Sequence, residues 1–513
     1  MIKNIKWLFL VSLTFAACSS DDEGSSVTEQ PITAGSANFS KYIALGDSFA
    51  AGYSDNALFK TGQENSYPNI LAQQFALAGG GSFTTPFMND DIGGLLFGGN
   101  VNPAFGKRIY LQGFLNATTP NIIPVPGNST TEASTQLAGP FNNMGIPGAK
   151  SFHLTVPGYG TLNPYFGRFA SSAGASVIGD AVVQDATFFS LWIGGNDVLT
   201  YASSGGTGTD QTGNLDPTTY AANDITDPMV FDNVYNGLVN ALTVNGAKGV
   251  VANLPYINTL PYFTTVPYNP VPPLPAENAA QINQIGGAIN QINAAMGEPA
   301  RFVTLSSTAN NPLLILDESL PNISAQITGV LTPVVGAQTA AFLGNLYGRA
   351  RHAKNIKNED PNLSFIDYIL LPTRAIIGTN QAGIPAPFNV VGVTFPLQDG
   401  NVLTNDEAGK IKVATDAYNI TIQNAAEAKG LAFVDTKVIM NQLLNGGIRF
   451  GNHHVTAAYI TGGAFSLDGI HPSARGYSLI ANKFLEAIAQ KYGSSIPAVN
   501  MGSYPIQYPV TMN

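Results

Sequence analysis

The segment Tyr42-Ile43-Ala44-Leu45 is unbroken apolar sequence that stops at Gly46-Asp47-Ser48, with Ala50, Ala51 and Gly52 just behind it. A short apolar run that meets a glycine and then small polar residues reads as a buried strand, a tight turn and a helix start. The same event recurs downstream. Thr187-Phe188-Phe189-Ser190-Leu191-Trp192-Ile193 ends at Gly194-Gly195-Asn196-Asp197, the run Gly249 to Leu254 ends at Pro255, and Leu431 to Val434 ends at Asp435. Continuously apolar strands are those covered on both faces, the condition of a parallel sheet between helices. Helices are expected over 67–78, 227–245, 404–430 and 474–491. Thr404 and Glu407 have the spacing of a capping box, Ile411, Thr415, Tyr418, Ile422 and Ala425 share one face, and Gly430 supplies the stop. Strand and helix in alternation give an α/β fold.

Two long stretches interrupt that alternation, about 79–140 and about 257–400. Both are rich in Gly, Pro, Asn or Thr, and regions this long without clear periodicity are usually functional insertions. The second holds one amphipathic helix, with Ile282, Ile285, Ile289, Ile292 and Met296 at spacings of three and four; packing against the main body is expected for it. A turn at Gly148-Ala149-Lys150-Ser151 lacks the spacing of a phosphate loop and reads as a simple Gly-Pro turn. The segment 493–513, Pro- and Tyr-rich, is expected at the surface.

Charged residues are only 11% of the 513-residue chain, against roughly 25% in a typical soluble protein. The net charge is −10 and no long basic run occurs, which argues against nucleic acid as a partner. Lys3 and Lys6 precede an apolar run from Trp7 to about Phe15, then Ala16-Ala17-Cys18, the parts of a signal peptide over 1–17. Cys18 is the single cysteine, so no intrachain disulfide forms. Its position resembles that of a bacterial lipoprotein, in which the cysteine is lipidated and anchors the chain to a membrane. Ser19-Ser20-Asp21-Asp22-Glu23 then resembles the surface-export signal of Bacteroidetes-type lipoproteins, or is a solvated acidic tether. The stretch 18–37 reads as a lipidated linker, and 38–492 as the folded domain. The expected location is the outer membrane, with exposure at the cell surface left open.

Ser48 by itself can be a nucleophile, a helix cap or a turn residue. A serine nucleophile needs a base for its proton, an acid that orients the base, and donors for the oxygen that becomes negative. Asp468 and His471 lie three apart on a turn entering the last helix, within reach of one another. Backbone amides at Ser48 and Gly148 and the side-chain amide of Asn196, each at a strand end, can supply the donors.

No Gly-x-Ser-x-Gly elbow occurs. Instead the set resembles the GDSL/SGNH hydrolase family, through Gly46-Asp47-Ser48-Phe49, Asn143-x-x-x-x-Gly148, Gly194-Gly195-Asn196-Asp197 and Asp468-Gly469-Ile470-His471-Pro472. The resemblance covers roughly 38–78, 141–256 and 401–492. It implies a three-layer α/β/α, flavodoxin-like fold with a five-stranded parallel sheet and the two insertions. It implies Ser48 as nucleophile, His471 as base, Asp468 as its orienting acid, and Ser48, Gly148 and Asn196 as the oxyanion hole, with Gly145 a rival for the Gly148 role. Carboxylic esters are then the substrates, lipid or acylated glycan, with neither cofactor nor metal. A carbohydrate O-acetyl esterase and a non-catalytic surface binding protein are the alternatives.

Asp47 and Asp197 are expected to shape their loops as hydrogen-bond acceptors. His453-His454 would point to opposite faces of a local strand and lacks the partners of a metal site. His153 could line the pocket, and Arg349, Arg351, His352 and Lys354 read as a solvated basic face.

Overall fold

The structure is a computed structural model that describes residues 31–116, 119–359 and 364–512. The signal segment 1–17, Cys18 and the linker as far as residue 30 lie outside the described residues. A compact unit begins at Ile32.

Five strands form the main sheet: β1 (Tyr42–Gly46), β2 (Asn143–Gly145), β3 (Phe188–Trp192), β4 (Lys248–Ala252) and β5 (Ala432–Val434). They run in the order β5-β4-β3-β1-β2, and every neighbouring pair is parallel. Ala44 of β1 pairs with Asn143 on one side and Ser190 on the other. The chain leaves β1 to one side for β2 and then crosses to β3 on the other, so the strand order reverses at β1. In open α/β sheets the crevice outside the carboxyl ends of the strands at such a switch point is the usual binding site.

All five residues of β1 and all five of β3 are buried, because helices cover both faces. On one side lie α2 (Tyr67–Ala76) and α6 (Ala474–Tyr492). Phe188 meets Phe75 edge-on at 5.5 Å, and Trp192 packs between Tyr67 and Phe484. On the other lie α3 (Asn196–Ser203), α4 (Pro228–Thr243) and α5 (Asn405–Lys429), joined by the stacking of Phe231 on Tyr418 at 4.2 Å. Each such buried aromatic contributes about 2 kcal/mol by area. This is a three-layer α/β/α fold. The capping box of α5 forms with both of its bonds, Gly430 ends the helix in the left-handed region, and the five expected face residues are all buried. The start of the unit is fastened to the end of α6, where Ser36 N–H donates to Tyr492 O at 2.8 Å and Ser495 N–H to Thr33 O at 3.0 Å.

The insertions fold as ordered structure. The first contains a hairpin, Ile109–Phe114 with Pro120–Pro124. The second carries the helix Ala276–Ala295 and the helix pair Ser324–Val335 and Ala337–Tyr347. Three expectations are corrected here. The isoleucine stripe turns toward the insertion rather than the main body: Ile289 and Ile292 pack with Phe302, Ile327, Leu343 and Tyr347, and Met296 is exposed. The insertion is long enough to bury a core of its own. The basic run is not a solvated face at its centre. Arg351 is 3% exposed and holds Asp367 through two nitrogens and Asp317 through a third. His352 is buried too, accepts from Val303 N–H, and is pushed down to about 4 by burial. The C-terminal segment is partly core: Met501 and Tyr508 are buried, and Arg108 donates to Pro509 O and Val510 O.

Candidate active site

At the end of β1 the chain turns into the short helix α1 (Ser48–Ala51), capped by Asp47, whose Oδ1 accepts from Phe49 N–H at 3.0 Å. The neighbouring strand grips that helix. Asn143 Nδ2 donates to Ala50 O, and Asn143 Oδ1 accepts from Gly145 N–H, both at 3.0 Å. Gly145 has to be glycine, since a Cβ there would sit 2.2 Å from Ala51 N. Gly148 differs. It lies in a turn at φ +79°, with open space where a Cβ would point. Gly145 is therefore a close-packing residue behind Ser48, whereas Gly148 is not packed in that way.

Ser48, His471 and Asp468 come together although 423 residues of sequence separate the first two. Ser48 Oγ lies 2.8 Å from His471 Nε2, and His471 Nδ1 lies 2.9 Å from Asp468 Oδ2. Asp468 Oδ1 accepts from Ile470 N–H and His471 N–H at 2.8 Å, while Oδ2 also accepts from Asn56 N–H at 3.0 Å. Burial alone would raise the Asp468 carboxyl, but the His471 imidazole and these donors outweigh it and hold it below the usual carboxylate range. Asn56 reaches it because Asp55 and Asn56 both adopt positive φ, a conformation that Asn and Asp tolerate better than other side chains. Asp55 ties the same loops again, accepting from Leu467 N–H and donating from its own N–H to Ser466 Oγ. The rings of Phe49 and Tyr53 flank the imidazole at 5.4 and 4.6 Å. Asp55 and Asn56 carried only a turn signal in the sequence, with nothing to connect them to Asp468.

Asn196 opens α3 and is 6% exposed. One hydrogen of its Nδ2 goes to Ala149 O at 2.9 Å, which fastens the Gly148 turn beside it and leaves the second hydrogen for another acceptor. Asp197 accepts from Ser151 N–H and Oγ–H, clamping the same turn a second time. Asp47 and Asp197 are thus acceptors inside their loops, as expected. Burial pushes Asp47 up to about 7 and raises Asp197 as well. His153 does not line the cleft: it accepts from Lys150 N–H, stacks on Tyr159, and is pushed down to about 4 by burial and by Lys150.

A cleft of about 640 Å³ opens beside His471 and Asp468. Its walls come from both insertions: Ile109, Leu115 and Ile122 from the first, Tyr262, Leu371 and Arg374 from the second. Tyr262 N–H also donates to Gly469 O at 2.9 Å, so the second insertion touches the Asp468–His471 turn directly. No local sequence signal marks these wall residues, because only the fold brings the insertions to this edge.

No family model matches the chain, and no curated protein does. Two solved structures are similar to it. One is a mutant of an acetyl-xylooligosaccharide esterase, Axe2, from Geobacillus stearmophilus, at 11% identity over 88% of this chain and 95% of that one, with a TM-score of 0.31. The other is an extracellular lipase from Streptomyces rimosus, at 10% identity over 88% and 98% of the two chains, with a TM-score of 0.27. Both superpositions are loose, and the chemistry of the site rests on its own distances. A hydroxyl, an imidazole and a carboxylate in one hydrogen-bonded line can deprotonate the hydroxyl and return the proton to a leaving group.

Proposed function

We propose that this chain is a serine hydrolase of carboxylic esters, of the GDSL/SGNH type. The observation that carries the reading is the line Ser48 Oγ, His471 Nε2, His471 Nδ1, Asp468 Oδ2, with contacts of 2.8 and 2.9 Å. Ser48 Oγ attacks the ester carbonyl as His471 takes its proton. The carbonyl oxygen becomes negative and draws on the amides of Ser48 and Gly148 and on Asn196 Nδ2. His471 then gives its proton to the leaving alkoxide, and an acyl group remains on Ser48. Water enters, His471 takes a proton from it, and attack on the acyl carbon releases the acid and restores Ser48–OH. Asp468 keeps Nδ1 protonated, so that Nε2 is the base.

Ile109, Leu115, Ile122 and Leu371 give the cleft an apolar lining, which favours an acyl chain over acetyl alone. We further read Cys18 as a lipidation site that tethers the enzyme to the outer membrane; no helix among the described residues is long and apolar enough to cross one. A fluorophosphonate probe tests the catalytic reading: the wild-type protein should label and Ser48→Ala should not, with its fold unchanged. An unlabelled wild-type protein would leave a binding protein on a hydrolase scaffold. A chain-length series of aryl esters tests the lining, and a sharp optimum at acetyl would overturn the lipid preference.

A further inference from the structure

Away from the cleft, three carboxylates from distant parts of the chain converge. Glu318 follows the strand Leu314–Leu316 in the second insertion, Asp399 opens the single turn Asp399–Asn401 near that insertion's end, and Glu407 lies in the first turn of α5. Each offers an oxygen within 4.8 Å of the other two. Carboxylates this close repel unless a cation or a proton lies among them. Arg351, which reaches Asp317 next to Glu318, is engaged by Asp317 and Asp367. Glu407 adds an independent observation. It is 4% exposed, and its Oε2 accepts from Thr404 N–H, but its Oε1 is sealed from solvent with no hydrogen-bond partner. Gly206 closes over that oxygen, since a Cβ there would fall 2.2 Å from it. A buried carboxylate oxygen without a donor lacks a partner that a cation would supply.

We propose that Glu318, Asp399 and Glu407 bind a hard divalent cation of the calcium class, which staples the second insertion to the core. The donor set is all oxygen, without His or Cys, which selects against zinc-type ions. The carboxylates sit on a loop, a short turn and a helix start, an irregular frame that suits the larger, geometrically tolerant ion better than magnesium. Glu318 is exposed, so water can complete the shell. The site lies against the end of α3: Gly205, just beyond that helix, packs on Asp399 O, and a Cβ there would fall 2.1 Å from it. The far end of the same helix begins with Asn196. Sequence spacing could not reveal this site, because its ligands come from three separate segments.

The test uses the purified full-length chain, stripped with EDTA and titrated with calcium chloride or magnesium chloride. Calorimetry should find one calcium per chain, bound more tightly than magnesium. At a calcium concentration about 100-fold above Kd, Tm should rise by at least ~2 °C over the EDTA sample. Glu318→Gln, at an exposed position that does not threaten folding, should weaken calcium at least ~10-fold while leaving Tm in EDTA unchanged or higher. Absence of calcium heat together with an unchanged Tm would overturn the proposal. So would wild-type affinity in both Glu318→Gln and Asp399→Asn, which would put the ion elsewhere.

Discussion

Gly145 and Gly148 make a paired test of how β2 positions Ser48. A Cβ on Gly145 would lie 2.2 Å from Ala51 N and 2.5 Å from Ala50 C, both backbone atoms of α1. An ordinary contact is about 3.4 Å or more, so Gly145→Ala must push β2 and α1 apart by about 1 Å. Neither element can yield cheaply, because Asn143 binds Ala50 O and β2 pairs along β1. Overpacking of this kind costs about 1–3 kcal/mol of stability, and a displacement of about 1 Å at a reacting group costs on the order of 100-fold in rate. Gly148→Ala meets no atom within 4 Å and keeps its N–H; it bears only the left-handed strain of φ +79°, about 1–2 kcal/mol. With an aryl ester and thermal melts in parallel, Gly145→Ala should lose about 100-fold in kcat and several degrees in Tm, and Gly148→Ala should stay within about tenfold of wild type. Wild-type kcat and Tm in Gly145→Ala would refute the argument that close packing behind α1 sets the position of Ser48.

Asn196→Ala should lower kcat by about 10²–10³ with little change in KM, as expected for an oxyanion donor, and a melt should show the protein folded. Asp47, raised to about 7 by burial, contributes stability that is fully present below its unfolded value and lost as pH rises through about 7. Melts from pH 4 to 9 should therefore show Asp47→Asn gaining on the wild type up to about pH 7 and keeping a constant offset from it above; parallel curves throughout would exclude the effect. Arg351→Met should cost about 3–5 kcal/mol in urea unfolding, because it strands Asp317 and Asp367 in a buried setting.

The strand ends were legible in the sequence because each is marked locally: Leu45 to Gly46 and Ile193 to Gly194 are sharp changes from apolar to turn residues. Asp468 and His471 were legible for a related reason, since three residues on one turn already fix their mutual reach. What failed depends on partners far along the chain. Arg351 looks like part of a basic run beside Arg349 and Lys354, and only the fold supplies Asp317 and Asp367. The isoleucine stripe shows which face of its helix is apolar, but not that Phe302 and Leu343 cover it. Tyr508 sits in sequence that looks like loop, yet it packs edge-on against Phe59 at 5.0 Å.

The fastening of Ser36 to Tyr492 has a mechanical consequence. Helix α6 starts just after His471 and runs 19 residues to Tyr492, a span of about 28 Å at 1.5 Å per residue. The first residues of the folded unit are therefore held a full helix length away from the Asp468–His471 turn.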